Sequence, residues 1–148
     1  MRPTISILAI IAFHLNAFGG DSYYLNPGFK IGHTFGESGG FTIGIEVSYT
    51  IVEDRLYGVL ASIDYCRSAD RFRCHLGAEY LVVAMGPTLI VEDGALDLGL
   101  NITPYAGAVV IPYANYTLRF SNRHDLFELG SFLKFPILVA GDPFRIGH

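Results

Sequence analysis

From residue 41 to residue 52 the chain alternates without a break. Phe41, Ile43, Ile45, Val47, Tyr49 and Ile51 fall on one face, and Thr42, Gly44, Glu46, Ser48 and Thr50 on the other. Period two belongs to a strand, whose successive side chains point to opposite sides; a helix would repeat every 3.6 residues. Weaker versions follow along the chain. Residues 27–35 set Phe29, Ile31 and Phe35 against Lys30 and Thr34, and 56–65 set Tyr57, Val59, Ala61, Ile63 and Tyr65 against Gly58, Ser62 and Asp64. Residues 72–82 set Phe72, Leu76, Ala78, Tyr80 and Val82 against Arg73, His75, Gly77 and Glu79. Segments 85–92 and 95–103 flank Glu92-Asp93-Gly94, a hairpin signal, and 105–118 and 127–138 bring the count of strands to eight. Glycine-rich 36–40 reads as a turn rather than a phosphate loop, because no helix and no Lys-Ser/Thr follow it. One stretch breaks the alternation: residues 106–112 are apolar on both sides, and continued phase puts Ala106, Ala108, Val110 and Pro112 inward. Pro112, lacking an amide donor, predicts a local irregularity there.

Aromatic residues recur eight positions apart, as Phe41/Tyr49, Tyr57/Tyr65, Phe72/Tyr80, Tyr105/Tyr113 and Phe127/Phe135. Eight steps of a tilted strand give roughly 20 Å of height, close to the apolar band of about 25 Å between the aromatic girdles of a membrane-spanning β-barrel. These ten residues are therefore expected to ring the outside. The opposite face then supplies an interior polar network of Lys30, Glu46, Asp64, Arg73, His75, Glu79, Asp97, Asn101, Glu128 and Lys134. Buried charges must pair. A hairpin centred on Ser38 would set Lys30 opposite Glu46 and Phe35 opposite Phe41; a connection at 66–71 would set Asp64 opposite Arg73 and Tyr65 opposite Phe72. Both registers pair opposite charges inside and aromatics outside, which predicts a plug of packed side chains, since eight strands leave no aqueous channel.

Composition narrows the class. Half the residues are hydrophobic (51%), only 16% are charged, and mean hydropathy is +0.37, yet past residue 20 no apolar run is long enough for a membrane helix. A net charge of −4 gives no reason to expect nucleic acid. Residues 1–19 read as a secretory signal peptide, with Arg2, an apolar stretch from Ile5 to Leu15 and a small-x-small site at Ala17-Phe18-Gly19; residues 20–148 then form one barrel domain. In an exported protein Cys66 and Cys74 become candidates for a disulfide, although strict alternation puts Cys66 inside and Cys74 outside. Ser62 falls opposite His75, a Ser/His pair with no third member, and His75 and Glu79 lie about 13 Å apart along one strand, too far to bond. His33 lies on the outward face and His124 in a turn; neither has metal-ligand spacing, and neither a metal nor a cofactor is expected.

The alternation, the aromatic spacing and the short turns together resemble the small eight-stranded bacterial outer-membrane barrels of the OmpX and OmpA-membrane-domain type, over about residues 24–138. The stretches GGFTIGIEVSYT, LNITPYAG and LGSFLKFPI are similar to ones in exported bacterial barrel proteins. The sequence departs from the resemblance at one point: such barrels usually end on an aromatic residue that closes the last strand, whereas this one ends Arg145-Ile146-Gly147-His148 with Phe144 four residues from the end. The resemblance implies an all-β, eight-stranded antiparallel up-and-down barrel in the outer membrane, a monomer whose partner is membrane lipid, in a structural or surface-interaction role and without catalysis. Two other readings stand beside it. One is a soluble lipocalin-like barrel binding an apolar ligand, with the faces inverted; the other is an outer-membrane lipid-modifying hydrolase using Ser62 and His75.

Overall fold

The computed structural model describes residues 22–36, 39–53, 55–107 and 109–141; the stretch 1–19 expected to be a signal peptide, Ser38, Ala108 and Phe144 lie outside them. The chain runs as β1 (Ser22–Phe35), β2 (Gly40–Val52), β3 (Leu56–Cys66), β4 (Arg71–Tyr80), β5 (Val83–Glu92), β6 (Ala95–Pro104), β7 (Val110–Arg119), β8 (Leu126–Lys134) and β9 (Ile137–Ala140). Each strand pairs antiparallel with the next from β1 to β8, and β8 pairs with β1, so the sheet closes into an eight-stranded meander barrel. Closure gives each of the eight barrel strands a partner on both sides, which the edge strands of an open sheet lack. The ninth strand is the end of the eighth: β9 continues the β8 side of β1, pairing with Tyr23–Leu25 after an interruption at Phe135-Pro136. The Phe135 amide still reaches the Pro27 carbonyl (2.9 Å), whereas Pro136 has no amide to give.

The two ends differ. The terminal end carries the start of β1, the connections at 53–55, 81–82 and 105–109, and β9; the distal end carries those at 36–39, 67–70, 93–94 and 120–125. Asp93 and Gly94 both take positive φ (52° and 74°), the two-residue hairpin turn that an Asp-Gly pair favours, and Glu92 pairs with Ala95 across it. Asp70, also left-handed (φ 42°), closes the short 3-10 turn Arg67–Ala69.

Side chains alternate in and out on every strand of the barrel. Outward aromatics form two rows: Phe35, Phe41, Tyr65, Phe72 and Phe127 toward the distal end, and Tyr49, Tyr57, Tyr80 and Phe135 toward the terminal end. Between the rows stand exposed residues such as Ile45, Val59, Ile63, Leu76, Leu98 and Leu129. The interior is mostly polar; Ile111, Tyr113 and Phe132 form an apolar cluster against which Tyr105 packs, and Val52, Leu60, Ala84, Ile90 and Leu126 are buried apart from it.

Three expectations require correction. The β1–β2 hairpin centres on position 37 rather than Ser38, because the Gly39 amide closes onto the Gly36 carbonyl (3.0 Å) with Gly36 at φ 109°. Lys30 therefore stands opposite Gly44, Glu46 opposite Gly28, and Phe41 opposite His33. The slip is two residues, an even number, so no side chain changes face. Next, Tyr105 and Tyr113 are not outward girdle residues: Tyr113 is 4% exposed and inside, and Tyr105 is half-buried against it. Their spacing does not measure one strand, since the connection 105–109 separates them before β7 begins at Val110. The parity of β7 is set by Asn115, Thr117 and Arg119, which must turn inward; Val110 (63% exposed) and Pro112 consequently face out. Last, Cys66 and Cys74 are both free, the first buried and the second exposed on opposite faces, so they form no disulfide. The β3–β4 register is the expected one, with Asp64 opposite Arg73, Tyr65 opposite Phe72 and Ser62 opposite His75.

Candidate functional site

Alternation sends an unusual number of ionised side chains into the lumen, where they sort into three clusters along its length. In the centre Lys30 from β1 meets Asp64 (2.7 Å) and Glu128 (3.1 Å), while Arg73 from β4 meets Asp64 through Nε (2.6 Å) and Glu128 through Nη2. Strands β4 and β8 are diametrically opposite in an eight-stranded ring, so the Arg73–Glu128 pair crosses the lumen. Glu128 is fully buried and also accepts from the Tyr113 hydroxyl (2.6 Å) and the Thr34 hydroxyl (3.0 Å). Gly32 and Gly130, paired between β1 and β8, make room for that tyrosine: a Cβ on either would lie 2.5 Å from its hydroxyl oxygen.

Toward the distal end Glu92 receives Arg71 (3.1 Å), Arg119 (2.6 Å) and Arg123 (3.0 Å), and Arg119 also holds Asp97 (2.6 Å), which accepts from Ser121 as well. Asp97 was in the expected network, but Arg71, Glu92 and Arg119 were missed. Their signal was parity alone, since Arg71 shares the phase of Arg73 and Arg119 that of Thr117. Above this cluster, in the 120–125 connection, Asp125 accepts from the Tyr116 hydroxyl and the Arg119 amide; the first of these contacts chiefly holds its carboxyl below the usual range.

Toward the terminal end Lys134 bonds Glu46, Glu79 (3.4 Å) and Ser48 (3.2 Å), and Thr50 donates to Glu79 (3.3 Å). This cluster borders open space. A vestibule of about 210 Å³ lies at the terminal end, lined by polar Asn26, Ser48 and Thr50 and by apolar Val52, Leu56 and Ile111 among others. Beyond it sits an inner pocket of about 10 Å³, lined by Glu46, Ser62, His75, Glu79 and Lys134 among others; the two share Glu79, Tyr105 and Lys134.

His75 is anchored by the Pro87 carbonyl on β5 rather than by Ser62. Its Nδ1 contacts the Pro87 carbonyl (3.1 Å), and because a carbonyl only accepts, Nδ1 carries a proton. Its Nε2 leans over Gly77, where a Cβ would come within 2.7 Å, and has no hydrogen-bond partner. Neither nitrogen is hydrogen-bonded to Ser62, the contact through which a Ser/His pair activates its nucleophile. Among the described residues no three His, Cys, Asp or Glu side chains gather as a metal site.

The fold and its lumen define a closed eight-stranded β-barrel with a charged interior and an apolar exterior. No family model, curated protein or solved structure matches the chain.

Proposed function

We propose that this chain is an integral barrel of the bacterial outer membrane, monomeric and surrounded by lipid, with a structural or surface-interaction role and a lumen closed by its own side chains. The observation that carries this reading is the inversion of polarity. Contiguous apolar surface beyond a few hundred Å² marks a contact with something other than water, and here it runs around the whole barrel while lysines, arginines and carboxylates turn inward. The two rows of outward aromatics fit interfacial girdles. Ion pairs between opposite strands support a lumen without a pore, and the brief distal connections leave little surface for a large binding partner. A soluble calyx for an apolar ligand needs the reverse arrangement, and it ranks second.

The test is refolding into phospholipid vesicles. The expected product is β-rich, inserted, and shifts in gel mobility on heating. Ile45→Arg, which puts a cation mid-belt on the outer face, is expected to lower stability by about 2–4 kcal/mol in urea unfolding. A chain that stays in solution without detergent and tolerates this substitution within about 0.5 kcal/mol would sink the proposal.

A further inference from the structure

The three ionic clusters are not equivalent in charge. Lys30 and Arg73 balance Asp64 and Glu128 in the centre, and Arg71 and Arg119 balance Glu92 and Asp97 beyond it, with the more exposed Arg123 and Asp93 adding one of each sign. At the terminal end Lys134 alone faces Glu46 and Glu79, so one buried carboxylate is in excess. Lys30 also lines the inner pocket, but its ammonium is already held by Asp64 and Glu128. A buried charge without a counter-charge is costly.

A second, independent feature points into the same space. His75 is 7% exposed and lines the inner pocket; its Nε2 has no hydrogen-bond partner and lies over Gly77, the next inward position of β4 toward Glu79 and the terminal end. With Nδ1 committed as donor to Pro87, Nε2 of the neutral ring is an acceptor. The pocket therefore gathers acceptors and one surplus negative charge, and calls for a group with donors and a positive charge. Its volume of about 10 Å³ suits a single water-sized group. The adjoining vestibule offers about 210 Å³, with Val52 and Leu56 on β2 and β3 and Ile111 on β7 across the barrel, room for a short hydrocarbon body between them.

We propose that the terminal vestibule binds a small organic cation through a primary ammonium, with the ammonium in the inner pocket among Glu46, Glu79 and His75 and its apolar body against Val52, Leu56 and Ile111. Three N–H donors then meet three acceptors, and the excess carboxylate gains its counter-ion. The small inner pocket selects against a methylated headgroup. This site belongs to the lumen and does not depend on what surrounds the barrel.

The experiment titrates the full refolded barrel with n-butylammonium, following the His75 Nε2 nitrogen shift and the methyl signals of Val52 and Leu56. Saturable binding that moves both sets together is expected, with 1-butanol and butyltrimethylammonium weaker by about tenfold or more. Glu79→Gln is expected to weaken butylammonium by a similar factor, and Leu56→Trp, which fills the vestibule and leaves the ionic groups intact, to abolish it. Absence of saturation, equal binding of 1-butanol, methyl shifts without the nitrogen shift, or full affinity in folded Glu79→Gln or Leu56→Trp protein would each overturn the proposal. A pocket that holds only water would show the first of these.

Discussion

The central and terminal clusters use the same chemistry to different ends. Both place carboxylates against basic side chains inside one barrel, and both bridge β4 to β8, through Arg73–Glu128 in one and Glu79–Lys134 in the other. The central four are balanced and sealed, with Tyr113 and Thr34 completing the shell of Glu128. The terminal three are unbalanced and border open space. Ion pairing in a lumen is therefore not one property. Where charges cancel and each carboxylate oxygen has a partner, the cluster acts as packing; where one charge is left over beside a cavity, the same groups become a place for something else to bind.

The largest expected effect comes from making one identical change in each cluster. Glu128→Gln leaves Lys30 and Arg73 facing Asp64 alone, an uncompensated buried cation, and is expected to cost about 3–5 kcal/mol. Glu79→Gln leaves Lys134 facing Glu46 one to one, and is expected to change stability by less than about 1 kcal/mol, or to raise it. Urea unfolding of the two refolded variants at neutral pH checks this. Equal losses would erase the distinction between the clusters.

A smaller effect tests how the central cluster is sealed. Tyr113 reaches Glu128 only because Gly32 and Gly130 leave the space beneath its hydroxyl. Gly32→Ala puts a methyl 2.5 Å from that oxygen and is expected to cost about 1–3 kcal/mol through displacement of the tyrosine. Combining it with Tyr113→Phe, which removes the clashing oxygen and its hydrogen bond, should cost less than the sum of the two single changes. Strict additivity in the double-mutant cycle would show that the glycine serves only the backbone.

These clusters were legible in the sequence to different degrees, and the reasons are physical. Local alternation assigns faces, so Asp64, Arg73, Glu79 and Lys134 could be turned inward from the chain alone. Register needs the turn as well. At 67–70 the short connection fixed the pairing of Asp64 with Arg73, whereas in the glycine-rich 36–39 segment a closure one position earlier moved Lys30 from Glu46 to Gly44. Contacts between strands that are not consecutive in the chain lie beyond both signals: Lys30 finds Asp64 on β3 and Glu128 on β8, and Glu46 finds Lys134 on β8. Tyr113 was misplaced because an even spacing keeps a face only within one strand, and a loop separates it from Tyr105. The cysteines illustrate the opposite error, since alternation already put them on different faces and only the expectation for exported proteins suggested a bridge.

The smallest expected effect lies outside the lumen and separates pairing from burial. Asp125 is exposed in the distal 120–125 connection, and its hydrogen bonds from the Tyr116 hydroxyl and the Arg119 amide lower its carboxyl below the usual value. A carboxyl with a lowered folded-state value contributes stability that is fully present above its ordinary value near 3.9 and is lost as pH falls through the lowered one. Acidification through that window should therefore release the distal connection, visible as a shift of the Asp125 carboxyl and Arg119 amide signals, while the barrel's β signal stays intact. Asp125→Asn should remove this step and leave neutral-pH unfolding nearly unchanged, because exposed contacts are weakened by solvent. A loss as large as that of Glu128→Gln would mean that burial is not what distinguishes the lumen's ion pairs from those at the surface.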